Sequence, residues 1–429
     1  MKIYSFLKKL FINLIFLAFL LINQNLFFLT LIFYLLIVSI LNKKINFQFT
    51  YLPLVIYFLK LTFAFFENIT LWKKLDFGYG YIFSDIYKPL HYIKCNFLIE
   101  FYNSDVYLNS KLCGASNEFD PLLRFVKINF YNFNDASILF GAIIFLSLSL
   151  IFYLFVKSQD FDNGLVSLLF LSPALIFAFN QLNLDTLVFI LFCLALIFRN
   201  KNYLLYIASF LSTLLKLHPI FSIFGLFLYS ILNNKKLLFV FNFATMTYVL
   251  YFVFSNNSEP VMPSNLINST GLLTISQYIW VNFLTRSGGY RVVILIYILI
   301  LFLCLNLKKI VKYSYLTLEN PLEYSLFFWL FGVFLYANYD YRNIIIIVFI
   351  LIFNKKMNTL EINLYVLYLF LSPIFNSQFE IFVLPLSVIK VSIFIYLLGH
   401  ILFNFEVFIR KQLIVPINKA LKKINLIAF

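Results

Sequence analysis

Charge is what this sequence has least of: only 12% of its 429 residues are Asp, Glu, Lys or Arg, against about 25% in soluble domains. With 62% hydrophobic residues and a mean hydropathy of +0.92, the chain has too little polar surface to cover itself in water, which excludes a soluble fold. Histidine is nearly absent, with three residues, and cysteine is sparse, with four. No spacing among them resembles a structural zinc site, and no metal site is expected. There is also no phosphate-cradling glycine loop, no nucleophile elbow and no His-Glu-x-x-His helix, so ATP-driven transport and metalloprotease chemistry lose support. Glycine and alanine are scarce, whereas Phe and Tyr supply 58 and 29 residues. Together with abundant Ile, Asn and Lys, this reads as the composition of an AT-rich genome rather than as an aromatic binding signal.

What is present is a succession of apolar stretches, most of them near the roughly 20 residues that cross a hydrocarbon core of about 30 Å. Between them lie short basic clusters: Lys8 and Lys9; Lys43 and Lys44; Lys157; Arg199 and Lys201; Lys235 and Lys236; Lys308, Lys309 and Lys312; Lys355 and Lys356; and Arg410, Lys411 and the tail lysines. This placement explains the net charge of +15 without nucleic acid. If every cluster faces the cytoplasm, each interval must hold an even number of spans. Each holds a pair: 9–22 and 27–42, 49–66 and 137–156, 164–179 and 183–198, 203–216 and 219–232, 236–254 and 291–306, 321–337 and 341–354, 361–375 and 381–403. The expected fold is an all-α polytopic integral membrane protein with about 12–14 transmembrane helices and both termini cytoplasmic. Although Lys2, Lys8 and Lys9 precede the first span as in a signal peptide, no small-residue cleavage site follows, and a retained hairpin is expected.

The chain then reads as a single membrane domain: N-terminal spans over 1–66, a first outer loop over 67–136 between the third and fourth spans, spans over 137–254, a second outer segment over 255–290, and C-terminal spans with a basic tail over 291–429. Both long loops are Pro-poor and aromatic, which favours packing onto the membrane surface. Cys193 and Cys304 fall inside spans and read as inert, whereas Cys95 and Cys113 share the first outer loop and would be able to pair in an oxidising compartment.

Ionisable residues within spans cost roughly 2.5–3.5 kcal/mol each on insertion scales, so their placement carries information. Lys216 and His218 sit in Leu-Lys-Leu-His-Pro at 215–219, between two apolar stretches. Snorkelling with Pro219 starting the next helix explains them, and so does a cation holding a lipid phosphate. Asp185 opens a span after Asn180, Gln181 and Asn183, which is ordinary capping or a denser amide cluster for sugar hydroxyls or phosphate. Asn338, Tyr339, Asp340, Tyr341 and Arg342 combine an acid and a base between aromatic rings, either a structural ion pair or a bidentate phosphate ligand. Lys60 and Lys390 lie nearer span centres and have no assigned role beyond pairing with an acid.

Taken in order, Leu-Ser-Pro-Ala at 171–174, Asn180 through Asp185, Lys-Leu-His-Pro at 216–219 and Asn-Tyr-Asp-Tyr-Arg at 338–342 resemble the polyprenol-phosphate-mannose-dependent mannosyltransferase-like bacterial membrane proteins of the GT-C superfamily. Members carry Ser-Pro-Pro, Gly-Asn-x-Asp-type and Lys-x-Tyr-Pro elements in this order. The present chain has Ala174 for the second Pro, Gln181 for the Gly and His218 for the Tyr. The resemblance implies a bacterial inner-membrane enzyme that takes a hexose, mannose by analogy, from a polyprenyl-phosphate carrier on the extracytoplasmic face, with no cofactor. It implies a first-loop carboxylate as base, Asp85 or its rivals Asp105 and Asp120. Lys216, His218 and Arg342 would hold the donor phosphate and lipid, and Asn180, Asn183, Asp185 and Asp340 would line the pocket. The acceptor, whether glycan, lipid or protein, is left open. Three other classes stay in view: a lipid-linked oligosaccharide flippase, an O-antigen ligase or polymerase using Arg286 and Arg291, and a scaffold.

Overall fold

The computed structural model of the protein describes residues 24–47, 51–65, 86, 89–90, 93–94, 133–158, 160–216, 218–255, 269–283, 289–335, 338–371 and 380–416. Regular structure among them is almost entirely helical. The helices are α1 (Gln24–Ile40), α2 (Leu52–Phe65), α3 (Phe133–Lys157), α4 (Asn163–Phe170), α5 (Pro173–Gln181), α6 (Asp185–Ile197), α7 (Asn202–Leu215), α8 (Ile220–Leu232) and α9 (Lys236–Ser255). They continue with α10 (Leu272–Phe283), α11 (Gly289–Leu307), α12 (Pro321–Leu335), α13 (Ile345–Phe353), α14 (Thr359–Leu371) and α15 (Glu380–Phe408). Two strands of two residues, β1 (Ser269–Thr270) and β2 (Asn338–Tyr339), pair antiparallel with Ser269 opposite Tyr339.

Every apolar stretch expected to span that falls on described residues coincides with a helix; 9–22 lies outside them. Length is where expectation and structure part. Among the described residues two helices are long and apolar enough to cross a membrane, over Asp135–Lys157 and Pro385–Gln412, and a bent pair makes a third. The other apolar helices have 10–17 residues. The second outer segment also holds α10, which was not anticipated. Large apolar side chains on α3, α9 and α11, such as Leu146, Val240, Tyr251, Leu295 and Phe302, are exposed. An all-helical bundle with this apolar exterior is compatible with a helical membrane protein.

The expected span at 164–179 is broken. Asp162 caps α4, accepting from the N–H groups of Gly164 at 2.9 Å and Leu165 at 3.2 Å. Pro173 has no N–H to continue the helix and instead starts α5, turned 45° from α4. The Phe170 carbonyl, released by the break, accepts the buried Tyr57 hydroxyl. At the far end of α5, Leu182 takes a left-handed conformation with φ 48°, and the Asn183 N–H reaches back to the Ala178 carbonyl at 3.0 Å, a Schellman-type stop. The position where a glycine would serve is therefore Leu182, one residue beyond the Gln181 expected from the family pattern.

Helix α13 is apolar on every side, and Ile345 through Leu351 are almost wholly buried, as such a helix must be. Around it, α8 and α12 pack antiparallel and very close, because Gly225 lets α8 approach the Tyr324 backbone. Asn320 and Asn358 open α12 and α14 with capping bonds, accepting the Glu323 and Glu361 N–H groups at 3.0 and 2.9 Å. Both glutamates are then reused. Glu323 takes Lys356 Nζ at 2.8 Å, and Glu361 takes the Ser314 N–H at 2.8 Å and its hydroxyl, pinning the extended 308–320 connection.

Candidate functional site

Three separated sequence elements converge where α5, α6, α8 and α12 meet. The Leu182 turn delivers Asn183 and Asp185. The Asn183 Oδ1 accepts the Asp185 N–H at 3.0 Å, so capping of α6 falls to Asn183 and leaves the Asp185 carboxylate for other partners. Those partners are His218, whose Nε2 lies 2.5 Å from Asp185 Oδ1, and Arg342, whose Nε lies 3.9 Å from Oδ2. His218 comes from the break between α7 and α8, where Pro219 prevents one continuous helix. Arg342 comes from a 3-10 turn, Asp340–Ile344, that packs against α5 and α6. The β1–β2 pairing ties this turn's entry to the start of α10, so the second outer segment contributes to placing Arg342.

Trp329 completes the arrangement. Its indole N–H, a donor only, reaches His218 Nδ1 at 3.0 Å. Nδ1 must therefore hold a lone pair, the ring proton sits on Nε2, and Nε2 donates to Asp185. Burial pushes the His218 imidazole below its ordinary value, opposed by the Asp185 charge, and Arg342 and Lys216 push the same way as burial. The neutral, Nε2–H tautomer is the form that satisfies both neighbours. Phe192 backs the indole with a ring-centroid separation of 4.4 Å, and His218 stacks on it at 5.6 Å.

Asp185 is 1% exposed, and its carboxylate also feels the charge of Lys216 at the end of α7. Lys216 is half-buried and extended, with φ −146° and ψ 148°, and its N–H still bonds the Ser212 carbonyl at 2.9 Å. One carboxylate thus faces two fixed cations and a neutral imidazole, which leaves a net positive site suited to an anion such as a phosphate.

The expected site residues divide into three groups. Lys216, His218, Arg342, Asn183 and Asp185 are brought together, and Asn180, fully buried at the end of α5, lies one turn from them. Asp340 opens the 3-10 turn, and its side chain lies outside the described set. Asp85, Asp105, Asp120, Cys95, Cys113 and Arg286 fall outside the described residues, while Arg291 is exposed at the start of α11. Cys193 and Cys304 are buried free thiols. Sequence reasoning missed Trp329. The available signal was an indole in the middle of an apolar helix, where its N–H requires a partner. Among the described residues no cluster of His, Cys, Asp and Glu could hold a metal ion. Comparison with known protein families, curated proteins and solved structures finds no match to this chain.

Proposed function

We propose that this protein is a GT-C-type membrane glycosyltransferase that moves a hexose, mannose by the resemblance, from a polyprenyl-phosphate carrier to an acceptor on the extracytoplasmic face of a bacterial inner membrane. The observation that carries this reading is the convergence of Asp185, His218 and Arg342, from three elements of the family-like pattern, on one buried site with Lys216 beside it. Lys216 and Arg342 bind the donor phosphate and steady the charge that grows on it as the sugar's C1–O bond breaks. The acceptor hydroxyl attacks C1 from the opposite face and its proton passes to a first-loop carboxylate, Asp85 with Asp105 and Asp120 as rivals. Inverted glycoside and polyprenyl phosphate are the products.

The orientation required by this reading is supported by the ion pairs Lys44–Asp162, Arg199–Asp160, Lys308–Glu406 and Lys356–Glu323, which join residues of the basic, cytoplasm-facing connections to one another. A transport role draws support from Lys60 and Lys390, 4% and 1% exposed within α2 and α15, since charge inside the bundle is what a translocation path needs.

The test is transfer of radiolabelled sugar from polyprenyl-phosphate donors by purified protein in liposomes, comparing wild type with Asp85→Asn and Lys216→Ala. Loss of transfer in both folded variants is expected. Full transfer by Asp85→Asn moves the base to Asp105 or Asp120, and no transfer by wild type from any donor, with lipid-linked sugar crossing the liposome bilayer instead, replaces the transferase with a flippase.

A further inference from the structure

Serine and threonine inside apolar helices normally return their hydroxyl to the carbonyl one turn back, because nothing else is available in a hydrocarbon surround. This protein follows that habit at Ser39, Ser147, Thr213, Thr245, Ser276 and Ser392, with O···O distances of 2.7 to 2.9 Å. Buried serine and threonine hydroxyls with no hydrogen-bond partner among the described residues are those of Ser149, Ser172, Thr186, Ser209, Ser212, Ser222 and Ser325. Four of them, Ser209, Ser212, Ser222 and Ser325, are 0–1% exposed and gather on α7, α8 and α12.

Their places in the fold are related. On α7, Ser209 and Ser212 stand three apart and lead at the next turn to Lys216, which bonds back to the Ser212 carbonyl. Ser222 follows His218 by four residues at the start of α8, and Ser325 precedes Trp329 by four on α12. Because α8 and α12 run antiparallel with His218 bonded to Trp329, Ser222 and Ser325 each lie one turn inward from that pair along their own helices. At Ser325 itself, Gly225 holds the two backbones in near contact, with its Cβ position 3.1 Å from Ser325 Cα. Helix α7 packs against both α8 and α12. The four hydroxyls therefore lie directly inward of Lys216, His218 and Trp329.

We propose that these serines line a water-binding pocket inside the bundle, beneath the Asp185–His218 pair and closed on its inner side by the Gly225 contact. An orphaned buried hydroxyl is costly, four on adjoining helix faces more so, and a small water cluster is the ligand that satisfies donors and acceptors of this size together. Asp185 Oδ2, buried and without a hydrogen bond among the described residues, offers the cluster a charged acceptor at its outer end. The pocket gives the Asp185–His218 pair an internal source and sink of protons, whichever reaction the outer site performs.

The test places single cysteines at Ser222 and Ser325 in the full-length protein and follows replacement of the thiol proton by deuterium with infrared difference spectroscopy. The native thiol of Cys193, buried in α6, is the internal reference. Exchange at least tenfold faster than at Cys193 is expected at both positions, and exchange as slow as at Cys193 overturns the pocket. Should the cysteine variants not fold, Ser222→Ala and Ser325→Ala decide through the thermal midpoint. A water cluster that loses a partner lowers it, whereas in a dry bundle removing an orphan hydroxyl leaves it unchanged or raises it.

Discussion

Trp329 donates its indole N–H to Nδ1 of His218 over 3.0 Å, and that bond decides which ring nitrogen carries the proton facing Asp185. A histidine held neutral by burial has a folded-state value below its unfolded value of about 6.5. The unfolded chain then binds the extra proton, so this contribution to stability is complete above pH of about 6.5 and is lost as pH falls from there toward the folded value. Trp329→Phe frees Nδ1 to accept a proton and moves the folded value up. Thermal unfolding in detergent between pH of about 7.5 and 5.5 is expected to show a drop in the wild type that is smaller in Trp329→Phe. Equal drops in the two proteins would remove the tautomer lock.

Asp185→Asn tests the balance of charge at the site. Lys216 and Arg342 against one carboxylate leave a net charge of +1, and the substitution raises it to +2. Breaking a buried charge pair by removing one partner costs about 3–5 kcal/mol, so the melting temperature should fall. On the proposed role of Lys216 and Arg342 as phosphate ligands, affinity for a short-chain polyprenyl phosphate should nevertheless rise, because Arg342 is released from its pairing with Asp185. Calorimetric titration checks this, and weaker binding by a folded variant would mean that Asp185 itself contacts the ligand.

The close approach of α8 and α12 predicts a difference between two glycines. A Cβ at Gly225 would lie 2.4 Å from the Tyr324 carbonyl oxygen, which is backbone and cannot yield without moving the helix. At Gly332 the obstacle is the Phe221 ring, a side chain with freedom to rotate. Gly225→Ala is expected to cost at least the roughly 1–3 kcal/mol typical of overpacking, and Gly332→Ala less. Because α8 begins two residues after His218 and α12 carries Trp329, Gly225→Ala should also weaken the proposed phosphate binding. Matched unfolding and binding curves for the two variants provide the comparison.

Leu182 sets strain against burial. Its left-handed backbone costs about 1–2 kcal/mol, which glycine would relieve. The side chain is 1% exposed, however, and removing a buried leucine side chain typically costs about 2–5 kcal/mol. Leu182→Gly should therefore be destabilised despite its easier turn. A stabilised variant would show that the turn, rather than the packing beneath it, limits this corner of the fold.

Much of the helical framework was legible because hydrophobic length is a local property. The helix start at Pro219 was equally readable, since a proline cannot donate the next helical bond; the break at Pro173 was missed, because the apolar run over 164–179 was read as one span. Individual site residues were legible by their cost among apolar neighbours and by the order of the family-like elements, but nothing in the sequence indicated that His218 and Arg342 meet at the Asp185 carboxylate. Trp329, Ser222 and Ser325 signalled only that a polar group in an apolar helix needs a partner, and the sequence does not say which partner that is. The left-handed backbone of Leu182 was not legible, since a leucine there has no local signature and is held by the packing around it.

By itself the sequence determined an apolar, basic, predominantly helical chain and where most of its helices lie. Tertiary structure alone decided that the pieces at 182–185, 216–219, 329 and 338–342 meet, and which proton His218 carries. The physical reason is that helix formation follows from neighbouring residues, whereas a buried carboxylate, a tautomer and an orphan hydroxyl are defined by atoms contributed from distant parts of the chain.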